Sequence, residues 1–514
     1  MEDDSAPPPA RLRVAGQPAA GPPRGPGAAR GVMRRSGGRD LTNGPITRTL
    51  LVFSLPLLGG NALQSLNGTV NQFWVSHTLG VAAITALGNA NIVMMLMIGV
   101  VFGVGMAANI LVAQAVGAEN LALAKRVMGT ATTFFVGLSV LVAVSGGFLT
   151  PYILDLMGTP AEARAPAIVY LTIVFAAVPF MYFFMFMQMA QRGAGDSTTP
   201  FWFMGLAIVI DIVLNPLLIR GIGPFPRLGI AGSAASTLIG QSTSLLFLMI
   251  HLYRKKSPLV LRGRELRLLW PDPDIMGSLV SRGLPMGLQM LVMNGVAVVM
   301  ISFVNSFGAL TSAAYAISSI IWSYMQMPTM AIGASVSSMA AQNVGAGKWD
   351  RVAAVARSGV LSGLVITGSI GVLLYLFNRE VLMVLLPSTS PAIPLAVHIN
   401  SLVLWGLVLF SVTFSLSGVV RSTGAVWIPM AILIFSMVCI RVPFAALMIP
   451  RLGADAIWWS FPIGTISSAV LTSLYYKFGP WRQSRMLKED LHGETADTGL
   501  TVPITDPEEA TAAA

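Results

Sequence analysis

Residues 200–219 read PFWFMGLAIVIDIVLNPLLI, an apolar run in which Asp211 is the one ionisable side chain. About 20 apolar residues in a helix cross the roughly 30 Å hydrocarbon core of a bilayer. Similar runs recur along residues 50–476, and only 11% of the 514 residues are charged, against about a quarter in soluble chains. The runs are long and continuous rather than short and alternating, which excludes a membrane β-barrel. The sequence therefore predicts an all-α integral membrane protein.

The apolar runs predict about twelve transmembrane helices in two groups of six. The first group lies near 50–75, 83–113, 127–149, 166–190, 200–219 and 231–252, and the second near 283–305, 312–341, 353–376, 394–420, 427–449 and 455–476. We expect a disordered cytoplasmic tail at 1–43, one bundle at 44–253, a cytoplasmic linker at 254–282, a second bundle at 283–480 and a disordered cytoplasmic tail at 481–514.

The basic residues lie in tails and short loops, so the net charge of +10 indicates membrane topology and not nucleic-acid binding. Lys and Arg concentrate in the breaks at 117–126, 191–199, 254–282, 345–357 and 421–426, whereas the loops near 76–82 and 305–311 hold none. Because cytoplasmic loops are the more basic ones, both termini and the linker are predicted to be cytoplasmic.

An internal repeat with a spacing of 228 to 229 residues relates the two halves. The matching positions are Leu55-Pro56 with Leu284-Pro285, Gly80 with Gly308, QAVGA at 114–118 with QNVGA at 342–346, and Arg192 and Gly195 with Arg421 and Gly424. Each repeat has an even number of crossings, so both enter the membrane in the same orientation. The pattern predicts two parallel-repeat bundles around a central cleft, a geometry suited to alternating access. A duplicated scaffold without transport is the alternative.

Asp211 is the first candidate functional residue, because a mid-membrane carboxylate costs roughly 2.5 to 3.5 kcal/mol on insertion scales. A carboxylate facing a cavity could take a proton from one side and release it when a cation arrives. Asn215 lies one helical turn further on the same face, and the two oxygen-bearing side chains could also bind a hard cation such as sodium. Alternatively, Asp211 caps a break at Pro216 or pairs with a neighbouring helix.

Amide side chains form a stripe on the first predicted helix, where Asn61, Gln64, Asn67 and Asn71 follow each other at steps of three and four residues. This stripe could line a cavity opposite Asp211 or hydrogen-bond to adjacent helices. Arg441, which lies within the apolar run 427–449, could repel a cation, pair with a carboxylate or hold a helix against carbonyls.

No motif for enzymatic chemistry was found. The four histidines show no ligand pairing at helical spacing, a phosphate-binding loop is absent, and Cys439 is the single cysteine. We therefore expect no enzyme activity, no cofactor and no bound metal other than sodium at Asp211, with energy supplied by a proton or sodium gradient.

Over residues 44–480 the chain resembles the multidrug and toxic compound extrusion (MATE) family, especially its bacterial branch related to DNA-damage-inducible exporters. The resemblance rests on Leu55-Pro56, the stretch 114–118, the stretch 192–196 before Pro200, and their counterparts in the second half. It implies two six-helix bundles in a V, and sodium- or proton-coupled export of organic cations and other drugs across the plasma membrane, the inner membrane of a bacterial cell.

Two positions depart from the family pattern. The family's first helix usually carries an acid after Val, where this chain has Val70-Asn71, and its fifth helix commonly reads Asn-x-x-x-Asp-Pro, where this chain reads Asp211 to Asn215-Pro216. We therefore predict a coupling site with one carboxylate, Asp211, and with Asn215, Asn71, Asn67 and Gln64 as neutral partners. Fewer charges should weaken sodium binding and either favour proton coupling or loosen coupling altogether.

The sequence thus favours a secondary antiporter, expected to be monomeric, that exports cationic or amphipathic drugs or toxic metabolites. The alternatives are a flippase for a lipid-linked precursor and a non-transporting membrane scaffold. The expected partners are a small-molecule substrate and the lipid bilayer.

Overall fold

The computed structural model describes residues 38–487, and within this range the chain is helical without strands. The first half forms six long helices: α1 Ile46–Leu79, α2 Val81–Gly117, α3 Leu121–Leu156, α4 Ala161–Gly193, α5 Thr198–Arg220 and α6 Ile230–Arg254. A 3-10 turn, Gly263–Leu269, lies in the connection to the second half.

The second half repeats this order with one short additional helix and one span that a π-helical segment interrupts. Its elements are α7 Pro273–Asn305, α8 Ala309–Gly345, α9 Trp349–Leu376, α10 Asn378–Leu385, α11 Ala392–Arg421, α12 Trp427–Ile434, a π-helical segment Phe435–Arg441, α13 Val442–Leu452 and α14 Asp455–Phe478. The short α10 is additional, and α12, the π-helical segment and α13 form one continuous span. Six long helical segments therefore stand in each half, which confirms the predicted architecture.

Ten of the described helical segments are long and apolar enough to cross a membrane. The other two long helices, α8 and α14, are richer in Ser, Thr and other polar residues. The C-terminal half of α8 is almost completely buried by protein, so its polar side chains face neighbouring helices instead of lipid. Composition alone therefore understates the number of spans.

The two halves meet where α2 and α8 cross. A Cβ placed on Gly117 would lie 1.9 Å from the carbonyl oxygen of Gln342, and one on Gly345 would lie 2.0 Å from that of Gln114. These contacts are reciprocal under the 228-residue spacing, as a pseudo-twofold relation between parallel repeats requires. Only glycine permits so close an approach of the two backbones.

Contact between the bundles is concentrated at this end. Residues 103–113 of α2 and 335–343 of α8 are buried, whereas the N-terminal halves of both helices expose apolar side chains at intervals. The bundles therefore pack together where α2 and α8 end. We call the packed region, residues 109–117 and 338–345, the junction.

The ends of the described chain pack against the bundles. Leu41 is fully buried, and its carbonyl accepts a hydrogen bond of 3.1 Å from the Asn343 side chain. At the other end, Trp481 is buried against Tyr476, with ring centroids 5.1 Å apart. Residues 38–43 and 481–487, assigned by sequence to the tails, are therefore ordered parts of the fold. The rest of the two predicted disordered tails lies outside the described residues.

The predicted linker at 254–282 is docked onto α3. Lys125 pairs with Glu265, and Arg126 pairs with Asp272 at 2.5 Å. A Cβ on Gly129 would meet the carbonyl oxygen of Leu268 at 2.0 Å. α7 already begins at Pro273, so the last ten residues of the predicted linker belong to a helix.

Candidate functional site

Three helices of the first bundle position the candidate residues. α1 and α5 run side by side in the same direction, and Asn67 contacts Asp211 while Asn71 contacts Asn215. The two residues of each pair are 144 positions apart in the sequence. The alignment of α1 with α5 is therefore the same at both pairs. α6 packs across them and supplies hydroxyl groups.

Asp211 is 3% exposed, and all of its hydrogen-bond partners are uncharged. The Asn67 side-chain amide donates to Oδ2 at 2.9 Å. The Ser236 hydroxyl donates to Oδ1 at 2.5 Å, and the Thr237 hydroxyl lies 3.2 Å from Oδ2. A buried carboxylate is normally paired with a cation or a metal, whereas Asp211 is held by neutral donors alone.

Gly240 determines how closely α6 approaches this carboxylate. A Cβ on Gly240 would lie 2.7 Å from the Ala207 carbonyl oxygen and 3.6 Å from the Asp211 nitrogen. A larger residue would push α6 away from α5 and would separate the Ser236 and Thr237 hydroxyls from the acid.

A second layer of the site lies one turn away. Asn71 Oδ1 accepts hydrogen bonds from Asn215 Nδ2 at 2.9 Å and from Ser233 Oγ at 2.6 Å. Asn215 is 1% exposed, and its Oδ1 is a buried acceptor without a hydrogen-bond donor. This amide oxygen is of the kind that coordinates hard cations.

The structure therefore brings together four of the five predicted residues: Asp211, Asn215, Asn71 and Asn67. Gln64 is exposed, and the structure gives it no hydrogen bond to the other four. The register that places Asn67 beside Asp211 carries Gln64 to the level of Ile208, a buried apolar residue. Gln64 thus shares the face of the stripe but meets no polar partner on α5.

Ser233, Ser236 and Thr237 were missed by sequence reasoning. They lie on one face of α6 at spacings of three and four residues, which is a usable signal. Hydroxyl groups are nevertheless common in membrane helices because they can bond to their own backbone, as Ser236 also does to the Ser233 carbonyl at 2.9 Å. The spacing alone could not distinguish the two roles.

The oxygen ligands of this site suit a proton or a hard monovalent cation better than a transition metal. Within residues 38–487, no group of three or more His, Cys, Asp or Glu side chains could hold a metal ion. Carboxylate, amide and hydroxyl oxygens are the ligands of hard cations, and here they contribute a single formal negative charge. The donor set is compatible with weak sodium binding.

Comparison with known proteins gives matches along most of the chain. The family model described as MatE matches residues 56–217 and 285–447, one segment in each bundle. A probable multidrug resistance protein of Bacillus subtilis, YoeA, is 34% identical over 445 residues, which is 86% of this chain and 96% of that protein. A second one from the same organism, YpnP, is 28% identical over 450 residues, with 88% and 99% covered.

A solved structure with the same fold is described as the outward-facing conformation of a MATE multidrug resistance transporter of the MOP superfamily. It superposes with a TM-score of 0.79 at 21% identity, over 85% of this chain and 96% of that one. The paired family matches fall on the two bundles that the reciprocal contacts of α2 and α8 relate to each other. The chain therefore belongs to the MATE family of multidrug transporters.

Proposed function

We propose that this transporter is a secondary antiporter that exports cationic or amphipathic compounds in exchange for protons, with Asp211 as the coupling carboxylate. The observation that carries the proposal is the burial of Asp211 among neutral donors from two neighbouring helices, α1 and α6. A negative charge there has no fixed counterion, so the carboxyl group is stable either protonated or beside a mobile cation.

Exchange of a proton for a substrate cation follows because Asp211 cannot be protonated and paired with a cation at the same time. A proton on Asp211 neutralises the site, and its release leaves a charge that favours a cation. Asn67, Ser236 and Thr237 hold the carboxylate in place in both states, because they can donate to either form. If the bundles move relative to each other between the two states, the proton and the substrate cross in opposite directions.

Protons are favoured over sodium on charge grounds. Sodium must exchange its water for protein oxygens, and one carboxylate with amides offers a weaker field than two carboxylates do. Asn71 stands where the family usually has the second acid. We therefore expect the gradient used to be mainly that of protons.

Topology and assembly belong to the same proposal. We propose that both termini are cytoplasmic, which the basic loops support, and that the protein acts as a monomer in the plasma membrane. The junction lies at the end from which the basic loops project, so the bundles are closed toward the cytoplasm and the cleft opens outward.

Reconstitution in proteoliposomes tests this function. A panel of fluorescent cations is loaded, and proton or sodium gradients are imposed separately. The wild-type protein should move at least one dye against its gradient when protons flow the other way, and Asp211→Asn should reduce this coupled movement by more than tenfold. Asp155→Asn is the control, since Asp155 is an exposed carboxylate paired with Arg164 at 2.7 Å.

Unchanged coupled export in Asp211→Asn, or equal losses in both variants, would contradict the proposal. Movement driven by a sodium gradient alone would show that the protein is an antiporter whose coupling ion is sodium and not the proton. The flippase alternative predicts a cationic chamber at this site, yet the hydrogen-bond partners of Asp211 are neutral. A scaffold would move no dye under either gradient.

A further inference from the structure

Arg441 is a second buried charge, and the proposed function does not use it. It lies near the middle of the 26-residue span Trp427–Leu452, at the end of the π-helical segment Phe435–Arg441. π-helical insertions cost stability and often mark functional sites. Membrane arginines are expensive, and they normally face a cavity or a partner.

The contacts of Arg441 hold its side chain without neutralising it. Its guanidinium carbon lies 3.6 Å from the ring centroid of Phe461, which gives a cation–π attraction. Its Nη1 lies 3.9 Å from the sulfur of Met437, whereas its Nε is buried without a hydrogen-bond partner. The ion pairs formed among residues 38–487 do not include Arg441.

A cavity adjoins this guanidinium inside the second bundle. Its volume is about 80 Å³, and it is lined by Arg441, Gln326 and Thr465 together with apolar and aromatic side chains such as Phe410. A water molecule occupies about 30 Å³ of liquid, so the space accepts a carboxylate-sized group with its first carbons. Arginine stays charged in proteins, and the cavity therefore offers a fixed positive charge next to an amide and a hydroxyl.

Arg441 is also the counterpart of Asp211 in the repeat. The 229-residue spacing that relates Arg192 to Arg421 carries Asp211 to position 440, and the π-helical segment accounts for a shift of one residue. Glycines support the match: Gly240 packs against the Asp211 backbone, and a Cβ on Gly464 would lie 3.1 Å from the Arg441 side chain. The two bundles thus hold charges of opposite sign at equivalent positions.

We infer that the Arg441 cavity binds the anionic group of a transported amphiphile, so that the substrates include zwitterions with a carboxylate on an aromatic body. The claim that the bound compound is transported rests on the proposed export function. Binding at Arg441 does not depend on proton coupling. Arg441 and Gln326 bind the anionic group, and the apolar lining with Phe410 contacts the adjoining part of the substrate. Phe461 keeps the guanidinium in place.

A matched pair of dyes separates charge recognition from general stability. One xanthene dye is used as its free acid, a zwitterion, and as its ethyl ester, a cation with almost the same body. Binding to purified protein is measured by fluorescence anisotropy. Arg441→Met should weaken binding of the free acid by about tenfold or more, about the value of one charge-assisted contact, while binding of the ester changes less than twofold.

Further variants keep the test valid if Arg441→Met folds poorly. Arg441→Lys retains the charge but loses the two-pronged donor, so it should lie between wild type and Arg441→Met for the free acid. Gln326→Leu should weaken the free acid by about threefold and spare the ester. Arg451→Met, which removes an exposed arginine of the same helix, should change neither dye.

The inference is overturned if Arg441→Met and Arg441→Lys weaken both dyes equally, or if the wild-type protein binds the two dyes alike. If proton coupling fails in Asp211→Asn or in wild-type vesicles, Arg441→Met should still weaken binding of the free acid more than binding of the ester. The two proposals are therefore separable in the same set of proteins.

Discussion

Gln114 and Gln342 make equivalent hydrogen bonds into opposite bundles. The Gln114 side-chain amide donates to the Ser422 carbonyl at 2.7 Å, and the Gln342 amide donates to the Gly193 carbonyl at 2.8 Å. Both acceptors lie at the C-terminal ends of long helices, Gly193 as the last residue of α4 and Ser422 as the cap of α11, where backbone carbonyls lack a partner within the helix. Each glutamine thus satisfies a helix end that belongs to the other half of the repeat.

Replacing either glutamine by leucine should therefore favour the alternative arrangement of the bundles. Gln114→Leu or Gln342→Leu leaves a carbonyl without its donor, at a cost of about 1 to 3 kcal/mol, and this cost falls on the conformation whose junction is closed. We expect the ratio of closed to open junction to fall by roughly 5- to 150-fold. Distance distributions between spin labels across the junction would measure the change.

The matched control for this prediction is Gln64→Leu, the same chemical change at an exposed residue without a bond to either junction helix. It should leave the distance distribution as in wild type. If all three variants give one distribution, the glutamine bonds do not determine the state of the junction.

Gly103 should tolerate no side chain. A Cβ there would lie 2.2 Å from the Gly287 nitrogen and 2.3 Å from the Gly283 carbonyl oxygen, and backbone atoms of α7 cannot rotate away as a side chain can. Gly103→Ala should lower the free energy of unfolding by 3 kcal/mol or more, at or above the roughly 1 to 3 kcal/mol typical of an overpacked contact. Thermal unfolding in detergent would detect this as a lower melting temperature.

Gly137→Ala is the control, because a Cβ on that α3 residue would meet nothing within 4 Å. Alanine is the better helix former by roughly 0.5 to 1 kcal/mol, so this variant should be as stable as wild type or more stable. A Gly103→Ala protein that melts together with Gly137→Ala would show that α2 and α7 do not approach as closely as described.

Helical periodicity and the repeat predicted most of this fold. They located the twelve spans and matched Gln114 with Gln342. Asn67 and Asn71 are four residues apart on α1, as Asp211 and Asn215 are on α5. This shared spacing predicted that each amide of α1 could face a polar residue of α5. Such features follow from the 3.6-residue period, so one sequence is sufficient to find them.

Features that depend on packing between helices could not be predicted from the sequence. Gln64 shares the stripe of Asn67 and Asn71 but faces the level of Ile208, and only the register of α1 against α5 determines this. The docking of the linker depends on Glu265 and Asp272 meeting α3, which no local pattern predicts. The π-helical segment that ends at Arg441 likewise leaves no compositional signal.

Asp272 should be important for holding the linker to the first bundle. Its Oδ1 accepts from the backbone nitrogens of Asp274 and Ile275 at the start of α7, and its Oδ2 pairs with Arg126 at 2.5 Å. Asp272→Ala removes both a helix cap, worth about 0.5 to 2 kcal/mol, and the ion pair. We expect a loss of unfolding free energy of about 1 to 3 kcal/mol, measured by thermal unfolding.

Asp272→Asn should recover part of that loss, because an amide oxygen can still cap the helix but carries no charge for Arg126. The control is Asp350→Ala, which removes an exposed acid in the first turn of α9. If Asp272→Ala is no less stable than Asp350→Ala, the cap and ion pair add nothing to the docking of the linker.

Restoring an acid at position 71 should make the protein respond to sodium. Asn71→Asp keeps an acceptor for Asn215 and Ser233 and adds a second negative charge one turn from Asp211, so two like charges then attract a cation. A site with a dissociation constant of about 10 mM would stabilise the fold by about 1.4 kcal/mol at 100 mM sodium. The melting temperature of Asn71→Asp should therefore rise with sodium relative to choline, and by more than that of wild type. Asn91→Asp adds the same charge at an exposed position of α2 and should show no such rise. An equal response of the two variants would mean that position 71 does not contribute to cation binding.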